Sequence, residues 1–216
     1  MPGQTVLVIL TGLVFVAAGL ALLFDTEGGH SGIIAGALVF VWAFLRLVPD
    51  LIAKPGGIAL TNAGKAFAIT GALLAAAGAC TWRQAPPSRR EALQRAGRIA
   101  LGTFMVIGGI QHARFTQFVS MLMPPWMPAK IALAWFAGAA LLAGGVGMQV
   151  PRTRRLAATL SASMLGSWIF LVHLPRAFAA TTPADVQNEW TALCEALAFA
   201  GTALIVAATT QRPRTP

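Results

Sequence analysis

Apolar stretches of roughly 20 residues, about the length that crosses a bilayer core at 1.5 Å per residue, alternate along the chain with short polar connectors. They fall at 5–24, 32–53, 63–82, 98–119, 130–148, 155–175 and 190–209. The fourth is interrupted by Gln111, His112 and Arg114. The pattern predicts an all-α, polytopic membrane helix bundle of about seven transmembrane helices. In lipid, a helix satisfies its own backbone hydrogen bonds. The connectors hold breakers and charges. Asp25-Thr26-Glu27-Gly28-Gly29 follows the first span, and Pro55-Gly56-Gly57 separates the second from the third. A basic stretch follows Gln84-Ala85-Pro86-Pro87, with a short interfacial helix expected at 90–96. Pro124-Pro125-Trp126-Met127-Pro128 makes a stiff loop with a tryptophan suited to the membrane interface.

Two spans share a pattern. Trp42-x-Phe44-Leu45-x-x-x-Pro49 and Trp168-x-Phe170-Leu171-x-x-x-Pro175 align at one constant offset, which also pairs Asn62 with Asn188. Spans one to three therefore read as a copy of spans five to seven, running in the same direction: a parallel internal repeat. The expected organisation is an N-terminal three-helix unit at 1–82, a basic cytoplasmic linker at 83–97 and a four-helix unit at 98–216.

Composition agrees with a bilayer environment. Hydrophobic residues make up 56% of the chain and charged ones 11%, less than half the ordinary soluble share. The net charge of +9 is explained by loop arginines, so membrane lipid and not nucleic acid is the expected partner. With the N-terminus outside, the internal segments hold Arg83, Arg89, Arg90, Arg95, Arg98, Arg152, Arg154, Arg155, Arg212 and Arg214. The external side holds Arg46, Lys54, Lys65, Arg114, Lys130 and Arg176. This excess predicts an external N-terminus and a cytoplasmic C-terminus in the cell's inner (plasma) membrane. Cys80 and Cys194 form no metal or redox motif and are expected as small core residues.

Candidate chemistry lies in the ionisable side chains within spans, which are costly in lipid and usually face a partner or a cavity. Arg46, His112 and Glu195 fall at one depth, roughly 21 Å above the inner ends of their spans. Asp50 and His173 lie roughly 6–9 Å further out. Lys65, Arg114, Arg176 and Glu189 share the same half, whereas the inner halves are almost purely apolar. The expected site is an outer-half polar pocket lined by Arg46, Asp50, His112, Trp168, His173, Arg176 and Glu195. Structural ion pairing, such as Arg46 with Glu195, accounts for these residues equally well. Trp168 fits lipid anchoring or packing as readily as a pocket wall. Axial haem ligation by His112 and His173 is disfavoured by their difference in depth, and no metal motif is present.

The segment 97–212 resembles the DoxX-like family of small integral membrane proteins. The resemblance rests on Gly109-Ile110-Gln111-His112, on 119–128 with Pro125-Trp126-Met127-Pro128, and on Phe136-Ala137-Gly138-Ala139-Ala140-Leu141-Leu142. It continues through His173-Leu174-Pro175 and Asn188-Glu189-Trp190. It implies a four-helix membrane bundle and a redox-associated role near quinone, with respiratory or redox enzyme subunits as partners. Any redox centre would be a lipid-soluble one, such as quinone, or belong to a partner. The residues themselves leave open whether the chain is an enzyme. A transporter of small solutes and a structural assembly factor stand as alternatives.

Overall fold

The computed structural model describes residues 2–24, 28–80 and 86–210. The acidic connector at 25–27, Arg83 within the basic stretch, and the C-terminal Arg212 and Arg214 lie outside the described residues. The described chain is all-helical and contains no strand.

In chain order the helices are α1 (Pro2–Phe24), α2 (Gly28–Ala53), α3 (Gly57–Ala79), α4 (Pro87–Arg114), α5 (Thr116–Met121), α6 (Lys130–Gly147), α7 (Arg154–Trp168), α8 (Leu174–Ala179) and α9 (Pro183–Thr209). A π-turn, Ile169–His173, joins α7 to α8. Five stretches are long and apolar enough to cross a membrane: Gly29–Ala53, Gly57–Ala79, Lys130–Gly147, Arg154–Ala179 and Pro183–Thr209. A shorter apolar stretch, Val8–Phe24, lies in α1. Large apolar side chains stand exposed along these helices, among them Leu45, Ile52, Phe136, Leu160 and Leu204. Such a surface suits hydrocarbon and not water.

Helix α4 is central, packing against α3, α6 and α9. It starts at Pro87, a residue whose missing N–H is harmless in a first turn, and runs unbroken to Arg114. The separate interfacial helix expected at 90–96 is therefore the first part of α4, and the expected boundary at 97 falls inside a continuous helix. No proline follows Pro87 within α4, so its hydrogen-bond ladder has no reason to stop. The expected span end at 119 is also corrected. The helix breaks at Phe115, whose ring fills the space beside Gly57.

Small residues set how closely α4 approaches its neighbours. A Cβ on Gly109 would lie 2.7 Å from Gly138 O, and one on Gly145 would lie 2.6 Å from Gly102 O. The contacts run Gly102 to Gly145 and Gly109 to Gly138, so α4 and α6 are antiparallel with backbones touching. On the other flank a Cβ on Gly97 would meet Gly71 O at 2.5 Å, and one on Gly78 would meet Arg90 O at 2.8 Å. This is the packing expected where lipid supplies no hydrophobic drive and close van der Waals contact holds helices together. Around it Leu101, Met105, Leu141, Met148, Leu165, Phe199 and Val206 form the apolar core. Helix α1 is peripheral and packs on α2.

The last span is longer than the pattern suggested. It begins at Pro183, capped by the Thr182 hydroxyl, which accepts from the Asp185 amide at 3.2 Å. Neither Cys80 nor Cys194 forms a disulfide. Cys194 is exposed and not a core residue.

Candidate functional site

The polar residues gather at the end of the bundle where α3 and α9 begin and α4 and α8 finish. The local backbone explains why. Pro175 has no N–H to give Leu171 O, and its ring crowds that carbonyl. The helix responds with a wide turn in which the Leu174 amide donates to Ile169 O, five residues back. In an uninterrupted α-helix Trp168 and His173 would point about 140° apart. The wide turn brings them toward a common face. Turns of this kind recur at functional sites.

Trp168 then stacks on His112 of α4, with ring centroids 6.3 Å apart and planes inclined by 20°. His112 Nδ1 lies 2.8 Å from Gly108 O. A carbonyl only accepts, so Nδ1 carries the hydrogen, and the neutral ring presents Nε2 as an acceptor. Beside it, Gln111 ties α4 to the start of α3. Its amide nitrogen donates to Gly57 O at 3.0 Å, and Thr61 Oγ1 lies 2.8 Å from Gln111 Oε1.

Two ion pairs lie near His173, and both use carboxylates of α9. Lys65 of α3 meets Glu195 at 2.7 Å, with side chains 32% and 20% exposed. Arg176 of α8 makes a two-pronged contact with Glu189, its Nε donating to Oε2 at 2.9 Å. A further Arg176 nitrogen donates to Leu122 O in the segment after α5. His173 lies within electrostatic reach of Arg176, Glu189 and Lys65. Trp190 packs edge-on to Phe178 and caps this corner on the lipid side.

Of the expected site residues, His112 meets Trp168, and His173, Arg176 and Glu195 are linked through Glu189 and Lys65. Arg46 and Asp50 join neither group. They pair with each other one turn apart on α2, with side chains 62% and 55% exposed. The Arg46–Glu195 pair considered from the sequence is not formed, because Lys65 occupies that carboxylate. Depth along a helix fixes the level of a side chain but not its azimuth, and Arg46 faces away from the bundle. Lys65, Glu189 and Gln111 belong to the site although the sequence did not single them out as lining residues. Lys65 carried one usable signal, a lone cation within an otherwise apolar span. Among the described residues, no three His, Cys, Asp or Glu side chains are grouped to share a metal ion.

No curated protein and no solved structure matches the chain. Residues 101–210, just over half of the chain, match the family model described as Domain of unknown function (DUF8561). Apart from the α3 residues Lys65, Thr61 and Gly57, the site lies inside that segment, and the chain belongs to this family.

Proposed function

We propose that this is a multi-pass membrane protein that binds a lipid-soluble quinone or quinol at the polar end of its bundle, as an accessory subunit of a redox system. The single observation that carries this reading is the His112–Trp168 contact with its imidazole acceptor at Nε2. A quinol hydroxyl can donate to that nitrogen, and the oxygen of the second hydroxyl at the far side of the ring can accept from His173. The indole supplies an apolar wall, and the Lys65–Glu195 pair sets a charged group beside the site for proton exchange. The DoxX-like resemblance points the same way.

The reading includes a finer topology. Helices α1 and α4 join the five apolar helices to make seven spans, with the N-terminus outside and the C-terminus cytoplasmic in the inner (plasma) membrane. The parallel repeat draws support from the packing. In each set of three the middle helix, α2 or α7, touches both of its neighbours, and each middle segment carries the Trp-x-Phe-Leu-x-x-x-Pro pattern.

The test is extraction and mass spectrometry of lipids from the purified protein, followed by titration with a short-chain quinone in nanodiscs. Copurified quinone is expected. His112→Phe and His173→Leu should each weaken binding about tenfold, the cost of roughly one hydrogen bond. Absence of quinone together with unchanged titrations in both variants overturns the reading. One observation favours a second reading, as a transporter: the last-but-one span is interrupted at the π-turn, and interrupted helices line substrate sites in many transporters. Solute uptake into proteoliposomes above that of empty vesicles would support it.

A further inference from the structure

At the opposite end of the bundle, arginines meet without carboxylates. Helix α4 presents Arg95 and Arg98, and α7 presents Arg154, its first residue, just after the α6–α7 turn. Arg98 lies within electrostatic reach of both others. Among the described residues none of the three takes part in an ion pair. The nearby Glu91 pairs with none of them either. Arg154 Nε donates to Met148 O at 3.2 Å, which holds its guanidinium against the end of α6. Gln149 Nε2 donates to Arg98 O at 3.1 Å, fixing the same turn to α4. The Nε of Arg98 is buried and has no hydrogen-bond partner.

Three like charges held together by the backbone repel one another, and a buried donor without an acceptor costs free energy. A single tetrahedral anion relieves the repulsion, its oxygens accepting from the terminal nitrogens of neighbouring guanidiniums in the forked geometry that arginine favours. The location indicates which anion. Arg98 lies roughly 24 Å along α4 from Arg114, close to the thickness of a bilayer core. Arg154 opens a membrane-length helix, Arg154–Ala179, and Gly147 ends another, Lys130–Gly147. The cluster therefore sits where headgroups begin, and basic pockets between spans at that level suit lipid phosphates.

We propose that Arg95, Arg98 and Arg154 form a binding site for the phosphate of an anionic phospholipid headgroup, between α4 and the α6–α7 turn. The site is distinct from the histidine-lined end and does not depend on the quinone reading.

The full chain in neutral detergent is titrated with dioctanoyl phosphatidylglycerol, dioctanoyl phosphatidylcholine and inorganic phosphate, and binding is read by native mass spectrometry. The anionic lipid should bind about tenfold more tightly than the zwitterionic one. Arg98→Gln/Arg154→Gln should erase that preference. Arg46→Gln/Lys54→Gln, which removes as many charges at the other end, should keep it. Equal binding of the two lipids, or a preference that survives in the Arg98/Arg154 variant, overturns the proposal. So does a preference lost equally in the Arg46/Lys54 variant, because bulk charge would then suffice. Displacement of the lipid by equimolar phosphate overturns the headgroup assignment. If the double variant elutes as aggregate, Arg95→Gln at its exposed position carries the same expectations.

Discussion

Lys65 and Glu195 join α3 to α9 through an ion pair of 2.7 Å, the one charged contact among the described residues that reaches from the N-terminal helices to the last helix. The two helices run in the same direction, so the pair fixes their register near the level of His173. Its partners are only partly exposed, and one charge without the other would be left facing an apolar interior. Either Lys65→Met or Glu195→Leu should cost about 2 kcal/mol, between the ~1 kcal/mol of exposed pairs and the ~3–5 kcal/mol of buried ones. The double variant should be more stable than either single one, since it leaves no orphaned charge. Thermal unfolding of the four proteins in one detergent measures this. Additive losses would show that the two side chains act independently.

Glycine substitutions should divide sharply by position. Gly109→Ala places a methyl 2.6 Å from Leu142 Cγ and 2.7 Å from Gly138 O. To admit it, α4 and α6 must separate, at a cost of about 1–3 kcal/mol. Gly201→Ala meets nothing within 4 Å and should be neutral or stabilising by up to about 1 kcal/mol, because alanine loses less backbone freedom in a helix. Melting temperatures of the two variants decide the matter.

Pro175→Ala restores an amide that Leu171 O can accept, removing the reason for the wide turn. An α-helical register would rotate His173 away from the Trp168 face. We expect higher thermal stability combined with at least about tenfold weaker quinone binding. Pro49→Ala in α2 should leave binding unchanged, since that proline sits inside a continuous helix away from the site. Equal binding by Pro175→Ala and the parent protein would separate the turn from ligand recognition.

Arg46→Gln should leave quinone binding within about twofold of the parent, a few tenths of a kcal/mol. Its guanidinium pairs with Asp50 on the exposed face of α2 and joins neither group of site residues. A large loss in the same nanodisc titration would mean that α2 closes over the site in the lipid-embedded protein.

Hydropathy made the spans readable because it averages over many residues, and most of the helices start and end within a few residues of where apolar runs do. It misjudged the start of α4. Arg89, Arg90 and Arg95 look like a loop to an average, yet nothing after Pro87 interrupts the hydrogen bonding of the helix. The level of the site was legible from where His112, His173 and Glu195 fall along their spans. Its membership was only partly so. Arg46 shares the level of Glu195 but points the other way, and no spacing within α2 says which side meets α3. The pairing of Lys65 with Glu195 depends on α3 and α9 being neighbours, a fact of packing with no local signature. The π-turn left one trace, Pro175. The matching Pro49 occurs in a helix with no such turn, so the residue alone did not foretell it.

The glycines that seat α4 between α3 and α6 have a mechanical corollary. Backbone rests on backbone along both flanks, so α4 can neither roll nor slip lengthwise without collision, and His112 is anchored to a rigid spine. Any breathing that admits a guest beside that imidazole must come from the opposite wall, the stretch from Ile169 to Ala179. There one surplus residue in the coil already provides slack, and the Arg176 clasp on Glu189 is the latch that would have to let go.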